Sequence, residues 1–346
     1  MSNAAPLSFR QAAARTRKSG VYTIPFATAG STQTQQLNNT GYLAEMWATV
    51  YASVDVTTAG TVTDARAAQT NFLPRIVLRS PQGEIIHSTS SKDLADFGKR
   101  LSAADIDSFS GKVVWNPATV GTYNVVFPFK IPIALNDGMN FTVGELMRQI
   151  SNNFFYLDLT FASMSDLAGG GSVVATLSNM SVVVDEVYYD AVPVGANVVP
   201  PDFTEFVRYR SQQFAPLATG QNVIAYATNP TLTDAMFRLV NAGAADGTLA
   251  NLSYIETTTN FGTVIDNRSG FALARDNYIA YQKAMPAGVY IEDFNDDFSI
   301  VNATQRRDWI ASQNVANLQF NVQYAGTPGA GLNAVQAFFR EIVQAS

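Results

Sequence analysis

The sequence predicts an all-β fold, a sandwich or jelly roll built as two tandem halves, and three observations predict it. Short apolar runs rich in β-branched and aromatic residues recur from Val21 onward, punctuated by Gly, Pro, Asn and Asp. A Pro-rich connector, Pro193-Val-Gly-Ala-Asn-Val-Val-Pro-Pro201, divides the chain into halves of comparable size. The halves also echo each other. Ser151-Asn-Asn-Phe-Phe-Tyr-Leu-Asp-Leu-Thr-Phe161 and Ser312-Gln-Asn-Val-Ala-Asn-Leu-Gln-Phe-Asn-Val322 share Ser-x-Asn-x-x-x-Leu-x-apolar-x-apolar. Each follows a Pro-containing segment that begins at a lysine, Lys130-Ile-Pro132 and Lys283-Ala-Met-Pro286, as a tandem duplication would leave.

Taken in order, residues 1–20 stand apart as a basic N-terminal arm, in which Arg10, Arg15, Arg17 and Lys18 are the only charges. The run from Ser8 to Lys18, with Ala12, Ala13 and Ala14, favours a short helix that Gly20 would end. Two readings stand for it: a disordered tail, or an arm facing anionic lipid or DNA, where each cation contributes about 1 kcal/mol near the surface.

The first half, 21–194, offers strands at Leu43–Val56, Arg75–Arg79, Glu84–Ser88, Tyr123–Phe129, Phe155–Phe161 and Val182–Tyr188. The connector occupies 195–201. The second half, 202–346, offers Val223–Thr228, Leu252–Thr257, Asn277–Lys283, Gly288–Phe294 and Asn317–Tyr324. The last sets Leu318, Phe320, Val322 and Tyr324 against Gln319, Asn321 and Gln323, the period of two that buries one face. Helices are expected only in connections. Leu232, Ala235, Met236, Leu239 and Val240 have helical spacing, with Thr231 or Thr233 as cap and Gly243 just past the end. Thr142-Val-Gly-Glu145 has capping-box form before Leu146, Met147 and Ile150. Leu332, Val335, Phe338, Phe339 and Ile342 outline a C-terminal amphipathic helix.

Composition narrows the function. The 346 residues are 47% hydrophobic and only 14% charged, against about 25% charged in an average soluble domain. A surface of Asn, Gln, Ser and Thr suits packing against copies of itself, because little charge has to be desolvated. A formal charge of −6 and a pI near 4.8 argue against a general or sequence-specific nucleic-acid binder. With no cysteine, disulfides, thiolate metal sites and cysteine nucleophiles are excluded. No stretch has the ~20 apolar residues of a membrane span, and no apolar signal core opens the chain, so neither membrane insertion nor secretion by a signal peptide is expected.

Catalytic motifs are sought and not found. His87 is the only histidine and so the only candidate base for a hydrolase triad. A lone strand histidine reads as structural, and His87→Ala is expected to leave assembly and any measured property nearly unchanged. Gly98-Lys-Arg and Gly111-Lys-Val lack the first glycine and the hydroxyl of a phosphate loop. Asp293, Asn295 and Asp297 match the first three ligand positions of a calcium loop, but Phe298 and Thr304 stand where the turn glycine and the bidentate Glu belong. What survives is a looser cation site or a solvated turn. Glu292 with Asp297 keeps carboxylate-pair sugar chemistry open, since separation in space decides it.

Several stretches, in chain order, resemble the double jelly-roll major capsid proteins of tailless, membrane-containing double-stranded DNA viruses of the tectivirus type. They are Gly41-Tyr-Leu-Ala-Glu-Met-Trp-Ala-Thr-Val50, Ile76-Val-Leu-Arg-Ser-Pro-Gln-Gly-Glu-Ile-Ile86, Ile131-Pro-Ile-Ala-Leu-Asn-Asp-Gly-Met-Asn-Phe141, Pro286-Ala-Gly-Val-Tyr-Ile-Glu-Asp-Phe294 and Ala316-Asn-Leu-Gln-Phe320. The resemblance is one of texture and order, and it covers most of the chain after residue 20. It implies two eight-stranded jelly rolls and a homotrimer of pseudo-hexagonal outline in an icosahedral virion shell. It further implies neighbouring capsomers, penton and minor capsid proteins as partners, synthesis in the host cytoplasm, an arm pointing inward to an internal membrane, no cofactor and no enzymatic activity. Two other classes compete. A carbohydrate-binding or carbohydrate-cleaving sandwich would want exposed aromatics near carboxylates, whereas Trp47, Trp115 and Trp309 sit in core-like or interface-like contexts. A spike or fibre would show short regular repeats.

Overall fold

The computed structural model describes residues 7–8, 13–62, 70–101, 110–136, 142–148, 154–169, 172–190, 198–199, 205–214, 217–226, 230–260, 262–294, 309–312 and 315–344. Sixteen strands carry the architecture. The first eight are β1 (Arg15–Pro25), β2 (Thr32–Gln36), β3 (Tyr42–Thr58), β4 (Arg75–Arg79), β5 (Ile85–Thr89), β6 (Gly121–Pro132), β7 (Tyr156–Thr160) and β8 (Val174–Tyr189). The second eight are β9 (Glu205–Phe214), β10 (Gly220–Tyr226), β11 (Thr231–Asn241), β12 (Leu252–Thr259), β13 (Thr263–Arg268), β14 (Val289–Asp293), β15 (Leu318–Tyr324) and β16 (Ala334–Gln344).

The first eight form facing sheets of order β1-β8-β3-β6 and β2-β7-β4-β5. The second eight repeat the order as β9-β16-β11-β14 and β10-β15-β12-β13. Each set is an eight-stranded jelly roll, and each strand has its counterpart eight strands later. Helix α1 (Ser91–Leu101) follows β5, and α3 (Gly270–Tyr281) follows β13 at the matching point; the short α2 (Met164–Ala168) lies between β7 and β8.

Alternation builds the first roll. Met46, Ala48, Val50, Ala52, Val54 and Val56 of β3 are buried while the residues between them face outward. Gly41 turns the chain into β3 at φ +64°, where a Cβ would stand 2.5 Å from the Tyr189 carbonyl oxygen, so only glycine fits. In the second roll Leu318, Phe320, Val322 and Tyr324 of β15 are all buried, as their period of two predicts. The ten predicted strands at Leu43–Val56 through Val182–Tyr188, and at Val223–Thr228, Leu252–Thr257, Gly288–Phe294 and Asn317–Tyr324, all coincide with observed ones.

The rolls are fused. β5 pairs in parallel with β9, His87 opposite Tyr209 and Ser88 opposite Arg210, which makes one sheet continuous across both rolls. The outer face of β9-β16-β11-β14 then packs into the first roll's core, contributing Tyr209, Met236, Ile291, Phe338 and Ile342. Its inner face, with Phe237, Leu239, Val335 and Phe339, lines the second roll's own core.

That double burial overturns two predicted helices. Leu232–Val240 is β11 and Leu332–Ile342 falls largely in β16, each buried on both faces. Such strands lose alternation and become near-continuous apolar runs, in which helical spacing is met by chance. Around Thr142, the pairs Thr142–Val143 and Leu146–Met147 ladder with Leu135–Asn136 and with β3. Gly144 between them, at φ +89°, breaks any helix. Conversely, the predicted strand Asn277–Lys283 lies mostly in α3, which Ser269 caps by accepting from the Ala272 N–H at 3.2 Å and Gln282 ends in the left-handed region. The expected arm helix is corrected too. Arg15 to Lys18 belong to β1, in register with Tyr189 to Glu186 of β8, so sheet pairing overrides the alanine propensity and the first roll begins at Arg15. The connector 195–201 lies largely outside the described residues; Val198–Val199 within it pairs in parallel with Leu7–Ser8.

Candidate functional site at the junction of the two rolls

A polar cluster at the junction lies where α1 meets the second roll. Arg238 of β11 extends from the outer sheet face toward α1. Its guanidinium reaches Asp93 at 2.9 Å, Asp96 at 2.5 Å and the Gln336 side-chain oxygen at 2.8 Å. Asp93 also accepts from the Ser90 and Ser211 hydroxyls, each at 2.8 Å. Burial pushes the Asp93 carboxyl up, but the Arg238 charge and the two hydroxyls outweigh it and hold the group below its ordinary range.

Aromatic packing runs alongside. Phe97 of α1 lies 4.8 Å from Phe338 and 6.0 Å from Tyr209, and the His87 ring meets Tyr209 edge-on at 5.0 Å. Arg340 stacks over Phe97 and pairs with Asp234 at 2.5 Å, both side chains buried. A cleft of about 430 Å³ opens beside Arg238, lined by Lys92, Asp93, Asp166, Ser211 and Gln336. This chemistry fastens one roll to the other.

The predicted site residues fall as follows. His87 is buried at the junction, where its Nδ1 accepts from the Tyr209 backbone N–H at 3.3 Å. Burial pulls it down to about 4, against the pull of the Ile86 and Pro132 carbonyls, so it is neutral near pH 7. The expectation that His87→Ala changes nearly nothing is therefore corrected: the ring is part of the inter-roll packing. Arg15, Arg17 and Lys18 line up on β1, with Arg15 reaching Glu45 at 3.5 Å and Lys18 lying 5.5 Å over the Tyr188 ring. Arg10 lies outside the described residues, as do Asn295 and Asp297. Asp293 accepts from the Tyr281 hydroxyl at 2.9 Å. Glu292 is buried, accepts from the Thr257 hydroxyl at 2.6 Å and is pushed up to about 7 by burial. It faces the interior and offers no exposed carboxylate to a sugar. Trp115 and Trp309 are buried and Trp47 is half-buried.

Among the described residues no group of three or more His, Cys, Asp or Glu is placed to hold a metal, and no helix is long and apolar enough to cross a membrane. The sequence reading missed two features. Asp93 and Arg238 are too far apart in the chain to be paired by inspection. The exposed apolar face of α3, formed by Phe271, Tyr278 and Ile279, was concealed by reading part of that helix as a strand; its signal was Ser269 before a run spaced at three and four.

No family model matches the sequence, and no curated protein matches it. Solved structures do match, over nearly the whole chain. The crystal structure of the STIV MCP superposes with TM-score 0.70 at 13% identity, covering 96% of this chain and 97% of that one. The PBCV-1 virus capsid matches with TM-score 0.63 at 14% identity, covering 95% and 94%. The major capsid protein P2 from bacteriophage PM2 matches with TM-score 0.55 at 13% identity, covering 96% and 98%. The chain has the double jelly-roll fold of these proteins.

Proposed function

We propose that this chain is the major capsid protein of a tailless icosahedral double-stranded DNA virus, a structural subunit without enzymatic activity. One observation carries the reading: both rolls, in the same order and fused in one chain, match capsid subunits from end to end. The low charge of the sequence supports it, since lateral contacts between copies then desolvate few ions. Three copies, each supplying two similar rolls, make a homotrimer of pseudo-hexagonal outline. Its partners in the virion shell are neighbouring capsomers and penton and minor capsid proteins, and the chain is made in the host cytoplasm. The cations Arg10, Arg15, Arg17 and Lys18 mark the end of the chain that faces inward, toward an internal membrane.

Light scattering tests the trimer. The purified protein is expected at three times its 37.3 kDa chain mass, with a melting temperature that rises with protein concentration. Electron microscopy of concentrated material should show hexagonal capsomers or shells. A stable monomer with a concentration-independent melt would overturn the reading.

A further inference from the structure

The cleft beside Arg238 is built by both rolls. Its floor is the outer face of the second roll, where Met236 of β11 and Phe338 of β16 are cross-strand neighbours, with Ser211 and Gln336 alongside. Its walls come from the first roll: Lys92 and Asp93 at the start of α1, Ser165 and Asp166 of α2, and Pro74 ahead of β4. Hydrogen bonds fix these walls in place. Ser91 Oγ donates to the Thr70 carbonyl oxygen at 2.8 Å and accepts from the Leu73 N–H at 3.0 Å, which pins the segment leading to Pro74 against α1. Asp166 Oδ2 accepts from the Ser163 backbone N–H and from its hydroxyl, each at 2.7 Å, and so holds the first turn of α2. The volume of about 430 Å³ lies within the roughly 300–1,000 Å³ of small-molecule sites.

The lining sets the chemistry of an occupant. Its charges balance: Asp93 meets Arg238 at 2.9 Å, and Lys92 and Asp166 add one charge of each sign. A bare anion would face two carboxylates and a bare cation two cationic side chains, so neither is favoured. The groups left uncommitted suit hydroxyls. The Gln336 side-chain oxygen accepts from Arg238 at 2.8 Å, and because a guanidinium only donates, the amide NH₂ is left over. Among the described residues that NH₂ has no acceptor, and Asp166 Oδ1 has no donor. One donor from the second roll and one acceptor from the first match a molecule that both accepts and donates along its length. Met236 and Phe338 give its C–H faces an apolar floor.

We propose that this cleft binds a neutral polyhydroxylated small molecule, a saccharide or polyol, which bridges the two rolls and stabilises their junction. Only the docked arrangement assembles walls and floor, so the occupant adds stability against separation of the rolls as its concentration rises above its dissociation constant. The site goes beyond the capsid reading and stands without it.

Glucose, trehalose and myo-inositol are the probes, titrated into the full-length protein. Sugars stabilise proteins in general by exclusion from their surface, an effect that involves no saturable site. Binding in the cleft should instead saturate in calorimetric titration for at least one probe. The same probe should slow hydrogen exchange on both sides, in peptides covering 90–93 and 164–168 of the first roll and 209–214 and 334–338 of the second. Ser165→Trp sets an indole at the exposed rim, and Asp166→Asn turns the free acceptor into a donor while an oxygen remains for Ser163. With folds verified by circular dichroism, each should weaken binding by roughly tenfold or more, the loss expected when a hydrogen bond to a charged group is removed or blocked. If no probe saturates, if protection is confined to one roll, or if either variant binds as wild type does, the site is wrong. Saturable binding of inorganic phosphate or spermidine at these peptides, with no sugar bound, would overturn the assigned class.

Discussion

Arg238 and Asp93 form an ion pair at 2.9 Å between β11 of one roll and α1 of the other, with 4% and 14% of their side chains exposed. Removing one partner leaves a buried charge uncompensated, which costs about 3–5 kcal/mol in such settings. Arg238→Ala is expected to destabilise by that order and to loosen the junction, so that calorimetry resolves two transitions in place of one. Asp93 is held below its ordinary range, so its contribution is present above the unfolded pKa and lost as pH falls through the folded value. The same junction should therefore be a weak point below about pH 4.

His87→Ala removes a buried ring that packs on Tyr209 and accepts its backbone N–H. A lost acceptor plus a cavity predicts a destabilisation of about 2–4 kcal/mol, with the fold retained. Chemical denaturation of the two proteins at pH 7 measures it. In wild type, burial holds His87 down at about 4, so its neutral form contributes stability fully above the unfolded pKa and loses it as pH falls from there toward 4.

Glu292 behaves in the opposite sense. Its folded value is raised to about 7, so the folded chain holds a proton that the unfolded chain has released. Stability falls as pH rises from the unfolded carboxylate value to about 7, by at most about 1.4 kcal/mol per pH unit. Glu292→Gln keeps an acceptor for the Thr257 hydroxyl and should abolish that fall. Melting temperatures of the two proteins should coincide at pH 4 and diverge in favour of the variant by pH 8.

For the basic strand, deletion of residues 1–18 would remove part of β1, so charge substitution is the cleaner test. Replacing Arg15, Arg17 and Lys18 together by Gln should leave the melting temperature within a few degrees of wild type. It should weaken binding to anionic vesicles at low salt by about 1 kcal/mol for each cation lost. Equal binding by wild type and variant would remove the membrane-facing role from these residues.

Much of the fold was legible because one buried face leaves a period of two. β3 shows this residue by residue from Met46 to Val56, and β15 departs from it only at Asn321, which is buried. Legibility ended where both faces are buried: Leu232–Val240 and Val335–Ile342 present apolar side chains to two cores at once. Their runs then satisfy a helical spacing as well as an extended one. α3 failed for the converse reason. Its solvent face carries Tyr278 and Ile279, an aromatic and a branched residue that, with their neighbours from Asn277 to Lys283, read as a strand. The junction was beyond reach for a different reason, since nothing local to Asp93 or Arg238 encodes a partner on another roll.

The two-sided burial of β9-β16-β11-β14 also sets an order on synthesis. The first roll can close its sandwich while the second is still being translated. When the second emerges, one side of this sheet packs on its own strands and the other docks on α1 and the first roll's interior, both already made. A second half made alone would leave Met236, Phe338 and Ile342 bare to water, a surface prone to aggregation. Severed between the rolls, the chain should therefore yield a second fragment that is insoluble when made alone. Co-expression should rescue the second fragment only when α1 is present on the first.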